Sequence, residues 1–303
     1  MIKNGEIMKN KEKPILLIVI LVVLIAIISI LYIVISNDVD VPSDYLILDT
    51  EIIIDDSLLN IFFFDVGQGD STLIMKNGQT MLIDGGNRWD GERLARYLTY
   101  LNVERIDYLI ATHIHADHIG GLGAIIENFE IGVLYMPRTT IGIRHVMEFL
   151  ALIEDNELNR QLIDIGYTFY LGYARNEIMF VDNYEPNNLN LTSIVIQMTH
   201  GDQVFLFMAD SVRQIEDLIE WNEVNVLRVG HHGSNTSSTE RFLNQTNPEV
   251  AIISVGRNNT YGHPHELVLY RLSNIGAVVY RTDERGTIWL TSDGMYNTIK
   301  TER

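Results

Sequence analysis

Residues 111–121 read ATHIHADHIGG, with His113, His115, Asp117 and His118 inside six positions. This density of metal-binding groups constrains the fold more than any other feature. A metal held by one short turn needs further ligands, so distant segments of the chain must converge on it. His113 and His115 are two residues apart and point to the same side of an extended segment. Asp117 and His118 follow where the chain turns toward a helix. The two adjacent pairs therefore suit two neighbouring metals, with Gly120 and Gly121 permitting a tight turn beside them. The 303 residues contain no cysteine. Disulfides, thiolate nucleophiles and thiolate-bound zinc are excluded. Imidazole and carboxylate must hold any metal, a set that suits zinc and tolerates manganese or iron.

The remaining ligands are expected at other strand ends, because functional residues of α/β folds gather on loops at one sheet edge. Asp210 closes QVFLFMAD, where a carboxylate could bridge two metals. His231 and His232 follow NVLRVG, and His263 and His265 follow VAIISVG by a loop. One such histidine alone could be an ordinary surface group; three strand-end sites together are a stronger signal. His200 sits at the turn of a hairpin spanning 192–209. That turn lies roughly 24 Å from Asp210 at about 3.4 Å per residue, with Thr192 and Ser193 opposite Asp210 instead. His200 is therefore expected to be structural. So is His145, which is expected on a helix facing away from the motifs.

The N-terminus differs in kind. Residues 15–36 carry no charge, and 22 residues at about 1.5 Å each span roughly 33 Å, enough to cross a bilayer core. Lysines before the run and acids after it place the N-terminus in the cytoplasm and the rest outside the cell membrane. A cleaved signal peptide is the alternative, though the run exceeds the usual length and no clear cleavage site follows. The expected organisation is a cytoplasmic tail at 1–14, a transmembrane helix at 15–36, a linker at 37–57 and one folded domain at 58–303. Residues 37–303 hold 18 basic against 38 acidic side chains. Such a surface repels bulk polyanions but leaves room for a phosphate at a local cationic centre.

Within 58–303, Asn77-Gly78 marks a hairpin between two apolar runs. Helices are expected over 90–102, from HIGGLG onward, over 142–158, over 211–221 and from 265. Strands are expected at DYLIATH, 192–199, 203–209, NVLRVG, VAIISVG, 277–280 and 286–291. This alternation implies a mixed α/β fold with sheets between helical layers.

These segments resemble the metallo-β-lactamase superfamily, and more narrowly the hydrolase domain of the ComEC/Rec2-type competence proteins and their stand-alone relatives. FFFDVGQGDSTLI, MLIDGG, THIHADHIGG, LRVGHHGSNTSS and ISVGRNNTYGHP occur in that family's order over roughly residues 58–292. The resemblance implies a four-layer αββα sandwich with a two-metal site at one edge of the paired sheets. It makes His113, His115, Asp117 and His118 the first ligand cluster and Asp210 the bridging aspartate. His231 and His232 supply the late ligand, and which of the two binds metal stays open. Asp65, Asp70 and Asp84 would orient ligands by hydrogen bonds from behind, and Gly67 and Gly69 would permit unusual backbone angles. Two departures stand out. A histidine common in the superfamily is absent from NNLNLTS, which offers Asn190 and Ser193, so one metal would be held more weakly. Ala209 replaces a glycine. The helical channel of full competence proteins has no counterpart here, so DNA transport is not expected.

Two divalent ions, zinc being the first expectation and manganese the second, would activate a water and neutralise an anionic oxygen. Asp117, His231 and His263 are the residues expected to act in the reaction, with His263 the acid or phosphate contact. Tyr261, Asn259, Arg257 and Ser234 are expected to touch substrate. The implied function is a membrane-anchored extracytoplasmic phosphodiesterase, in its narrower form a nuclease, with no obligate protein partner. The competing expectations are a hydrolase of a wall or membrane phosphoester such as a phosphocholine-bearing polymer, a lactam hydrolase, and a non-catalytic surface binding module.

Overall fold

β1 (Leu59–Phe63) is buried along its whole length, as a strand covered on both faces must be. β2 (Thr72–Lys76) and β3 (Gln79–Ile83) form the expected hairpin on Asn77-Gly78, with φ of 52° and 72° at the two turn residues. Positive φ at both positions matches the right-handed twist of the strands. β4 (Arg105–Ile110), β5 (Glu130–Tyr135) and β6 (Arg160–Gln161) then add in parallel, each reached through helical segments. These coordinates are a computed structural model that describes residues 52–139, 141–184 and 188–303. The run at 15–36, its tail and most of the linker lie outside the described residues. Among the described residues no helix is long and apolar enough to cross a membrane.

The second sheet begins with β7 (Thr168–Leu171), β8 (Ala174–Phe180), β9 (Val195–His200) and β10 (Gln203–Phe207), each antiparallel to the one before. β11 (Val226–Arg228), β12 (Val250–Ile253) and β13 (Val278–Arg281) continue it in parallel. The chain then returns to the first sheet with β14 (Ile288–Ser292), antiparallel to β1, and β15 (Asn297–Thr301) at its edge. The orders are β15-β14-β1-β2-β3-β4-β5-β6 and β13-β12-β11-β10-β9-β8-β7. Each sheet thus joins an antiparallel part to a parallel part.

Period-two alternation assigns the layers. Phe205 and Phe207 join Ile61, Phe63 and Met81 in the core between the sheets. Leu206 and Met208 face outward and pack with Phe242, Leu243, Val268 and Leu272 of the covering helices Glu240–Thr246 and Glu266–Asn274. On the other outer face, Phe64 meets Tyr97 of the helix Gly91–Tyr100 with ring centroids 5.5 Å apart. The architecture is the expected αββα sandwich.

Three local expectations are corrected. The helix expected over 211–221 is only Arg213–Glu216. Trp221 Nε1 donates to the Glu216 carbonyl at 3.0 Å, and the Glu216 carboxylate accepts from the Ser238 and Thr239 amides. Both ends of Glu216 are therefore committed to tertiary contacts that a longer helix would break. β9 starts at Val195 because Leu189–Thr192 forms a 3₁₀ turn capped by the Asn188 side chain. The strands between 160 and 180 were not expected; buried Asn176 interrupts the apolar alternation of β8.

Candidate metal centre

The parallel strands β3, β4, β10, β11 and β12 deliver Asp84, the 113–118 turn, Asp210, the 231–232 pair and the 254–265 loop to one edge. After β4 the chain stays extended. Ala111 donates to the Tyr135 carbonyl, and Ile194 to the Thr112 carbonyl. This holds His113 and His115 together, with Nε2 and Nδ1 3.0 Å apart. The helix Ala116–Ile119 then carries Asp117 and His118.

Asp210 sends its two oxygens in different directions. Oδ1 lies 3.3 Å from His118 Nε2 and 3.4 Å from His232 Nε2. Oδ2 lies 3.8 Å from both His113 Nε2 and His231 Nε2. His232 Nε2 is also 3.3 Å from Asp117 Oδ2. Two donor sets therefore share one carboxylate: His113, His115 and His231 on one side, Asp117, His118 and His232 on the other. Both members of the 231–232 pair reach the centre. They do so because both adopt left-handed backbone, φ 49° and 53°, as does Ala209 at 48°. Each costs of order 1 kcal/mol for a residue with a Cβ.

The ring nitrogens turned away from the centre are partnered. His118 Nδ1 lies 2.7 Å from Asp84 Oδ2, which also accepts from the Thr112 hydroxyl. His232 Nδ1 lies 2.9 Å from the Ser254 carbonyl, and His231 Nδ1 2.9 Å from the Thr236 hydroxyl. Three of the inward atoms are not. His118 Nε2, His232 Nε2 and Asp210 Oδ1 are buried without a hydrogen-bond partner. Buried polar atoms are rarely left so, and lone pairs converging from imidazole and carboxylate are what divalent cations require. The residues fit two metal ions.

Charge binds the centre together. Burial, with His118 alongside, pushes His113 well below its ordinary range. Burial opposes the charged form of His118 too, but Asp210 and Asp84 outweigh it and hold the ring well above its usual value. Burial likewise works against the Asp210 carboxylate, yet His232 and His118 keep it well below the usual range.

Other expectations are redistributed. Asp70 pairs with Arg228 and also brings a carboxylate oxygen within 4.8 Å of Asp84 and His118. Asp65 touches no ligand; it accepts from Gly67 and from Arg303 at the chain's end. Gly67 has the expected positive φ of 66°, whereas Gly69 serves close approach: a Cβ there would lie 2.7 Å from the Asp117 carbonyl. Asn259 is not free for substrate, since its amide staples its own loop through Gly256, Tyr261 and His263. Arg257 points to the Asp283 carbonyl, and Ser234 is buried against Thr236. Tyr261 is exposed and stacks on His263, their centroids 5.7 Å apart. The His263 ring lies 5.7 Å from that of His231. Partial burial, with His232, His231 and His265 close by, lowers His263 to about 4. His145 does not face away: its Nε2 lies 2.9 Å from the Ile114 carbonyl, inside the first motif. His200 pairs with Gln203 at the closed end of the β9–β10 hairpin, while Asp210 lies beyond its open end. Arg228, Thr112, Thr236 and Ser254 hold ligands or their backbone and were not anticipated. Only their positions beside the motifs could have drawn attention to them.

A sequence model of the Metallo-beta-lactamase superfamily matches residues 64–257. The chain belongs to this superfamily. Among curated relatives of this metallo-β-lactamase protein, Recombination protein 2 of Haemophilus influenzae is 33% identical over 231 residues, 74% of this chain and 28% of that one. Ribonuclease Z of Sulfurisphaera tokodaii is 24% identical over 188 residues, 57% of this chain and 58% of that one. The metallo-β-lactamase fold protein YhfI of Bacillus subtilis superposes with a TM-score of 0.54 at 12% identity, covering 80% of this chain and all of that one. The chain spans about a third or less of the competence-type relatives it matches.

Proposed function

We propose that this chain is a dinuclear phosphodiesterase, with nucleic acid its substrate. The observation that carries the reading is the Asp210 carboxylate, whose two oxygens face two separate sets of imidazole and carboxylate donors. His113, His115 and His231 would hold one ion; Asp117, His118 and His232 the other; Asp210 both. Zinc suits these ligands best. When bound, such a pair activates water and neutralises an anionic phosphoryl oxygen. The chain's own groups then orient the diester. His263 stands beside His231 and Tyr261 on the loop that borders the centre, placed to hydrogen-bond the leaving oxygen, with the exposed Tyr261 ring against the substrate. The names of two relatives, a ribonuclease and a recombination protein, support nucleic acid as substrate. The acidic surface of residues 37–303 favours a second reading, a wall or membrane phosphoester.

The uncharged run at 15–36 supports anchoring in the cell membrane with the catalytic unit outside. The absence of native cysteine makes this simple to check. A cysteine placed at residue 40 should react with a membrane-impermeant maleimide in intact cells; reaction only after lysis contradicts the orientation.

For the chemistry, the detergent-purified full chain is reconstituted with zinc and offered bis(p-nitrophenyl) phosphate, single-stranded DNA, RNA and a phosphocholine ester. Diester and nucleic-acid hydrolysis that disappears on chelation is expected. Cleavage confined to the phosphocholine ester favours the second reading, and no cleavage of any of them contradicts both.

A further inference from the structure

The two donor sets around Asp210 are unequal. Asp117 gives one set a carboxylate of its own, whereas His113, His115 and His231 bring only imidazoles beside the shared Asp210. Asn190 stands next to the poorer set. Its amide nitrogen lies 3.4 Å from His231 Nε2, and the residue is 7% exposed. Its Oδ1 is buried with no hydrogen-bond partner among the described residues. Such an acceptor is rarely left without a donor or a cation.

The backbone around Asn190 holds it there. Its N–H donates to Asn188 Oδ1 at 3.1 Å, and its carbonyl accepts from the Ser193 N–H at 3.3 Å. The Thr192 hydroxyl closes the same 3₁₀ turn on the Leu189 carbonyl at 2.8 Å. Ile194 N–H then reaches the carbonyl of Thr112, the residue before His113. The turn is therefore fastened to the segment that carries the first two imidazoles. The spacing also suits coordination. Two atoms each about 2.1 Å from one ion lie roughly 3.0–3.5 Å apart in right-angled to tetrahedral geometry. Asn190 and His231 meet that separation at 3.4 Å, as His113 and His115 do at 3.0 Å.

We propose that Asn190 is a further ligand of the ion held by His113, His115 and His231, and that it binds through Oδ1. This rests on the dinuclear reading above. The Thr236 hydroxyl lies 2.9 Å from the other ring nitrogen of His231, which leaves the Nε2 lone pair for a cation. A cation there repels the amide N–H groups of Asn190. A half-turn about χ2 exchanges Nδ2 for Oδ1, which has no partner to give up. The segment without the superfamily histidine thus contributes an oxygen in its place. An amide oxygen is a harder donor than imidazole, so it helps manganese more than zinc.

The test reads metal binding and needs no turnover. The detergent-purified full chain is titrated with zinc, and separately with manganese, against a chromophoric chelator. Asn190→Leu keeps the branched shape and removes both polar atoms. It should weaken one of the two ions about tenfold, the lower end of what loss of a supporting group costs a metal site, and leave the other as in wild type. Asn190→Ala accompanies it in case leucine disturbs the turn, and should weaken the same ion. The losses should be larger for manganese than for zinc. Asn190→Asp should bind that ion at least as tightly as wild type, because a carboxylate oxygen replaces the amide oxygen. Wild-type affinity for both ions in Asn190→Leu and Asn190→Ala overturns the assignment. Equal losses in Asn190→Leu and Asn190→Asp overturn it as well, since the amide would then only hold its turn. A larger loss for zinc than for manganese speaks against an oxygen donor and also overturns it. Separately, a wild type that holds fewer than two ions per chain in metal analysis counts against the dinuclear reading, whatever the variants show.

Discussion

Arg228 and Asp70 form an ion pair whose side chains are 1% and 3% exposed. Asp70 belongs to the loop between β1 and β2; Arg228 ends β11 in the other sheet. The same guanidinium donates to the Ala209 carbonyl at 2.7 Å and the Val229 carbonyl at 2.9 Å. One buried cation thus fixes the backbone just before Asp210 and just before the Gly230-His231-His232 turn, and ties both to the first sheet. Removing one partner of a buried pair leaves an uncompensated charge. Arg228→Ala should therefore lose roughly 3–5 kcal/mol in urea denaturation. Asp70→Asn should lose less, because a neutral amide still accepts one hydrogen bond. Equal, near-zero losses in both would show that the pair does not hold the sheets.

Asp84 would act on a bound metal through His118. Its Oδ2 lies 2.7 Å from the outward ring nitrogen, and it also takes the Thr112 amide and hydroxyl. Asp84→Asn keeps the shape but weakens the ring's orientation and basicity. Zinc affinity, measured by competition with a chromophoric chelator, should fall about 10- to 100-fold. An unchanged affinity would remove Asp84 from the centre.

Ala209 holds φ at 48°, where a Cβ is unfavourable and glycine is not. Ala209→Gly relieves that strain but adds chain entropy to the unfolded state. The net expected effect is a stabilisation below about 1 kcal/mol. A clear loss in thermal denaturation would mean that the methyl group packs more usefully than the geometry indicates.

His200 gives an acid limb to stability. Burial, reinforced by the Lys76 charge, lowers its folded pKa. The unfolded chain therefore takes up a proton near pH 6.5 that the folded chain refuses. The contribution of His200 is fully present above about pH 6.5 and declines as pH falls below it, by at most about 1.4 kcal/mol per pH unit. His200→Asn should flatten the decline between pH 7 and 5 relative to wild type. Parallel curves would contradict the shift.

Much of the site was legible because its ligands sit in dense local motifs at strand ends, where apolar runs stop abruptly. The 113–118 turn, Asp210 and the 231–232 pair are of this kind. The roles of Asn259, Arg257 and Asp65 were not legible. Each is a polar residue beside a motif, and whether it faces substrate or staples its own loop depends on side-chain direction. Arg228 was hidden for the opposite reason: a single arginine in an apolar strand reads as an edge charge until burial shows otherwise. β6 to β8 escaped because the strands are short and, in β8, interrupted by buried Asn176, which weakens the period-two pattern. Ambiguity over His231 and His232 ended only with their left-handed backbone, which turns both imidazoles to the same carboxylate.

The most direct measurement is a zinc-edge anomalous difference map from crystals of the zinc-loaded chain. Two peaks should flank Asp210, one beside His113 and His115, the other among Asp117, His118 and His232. A single peak, or peaks that do not share Asp210, would contradict the dinuclear centre.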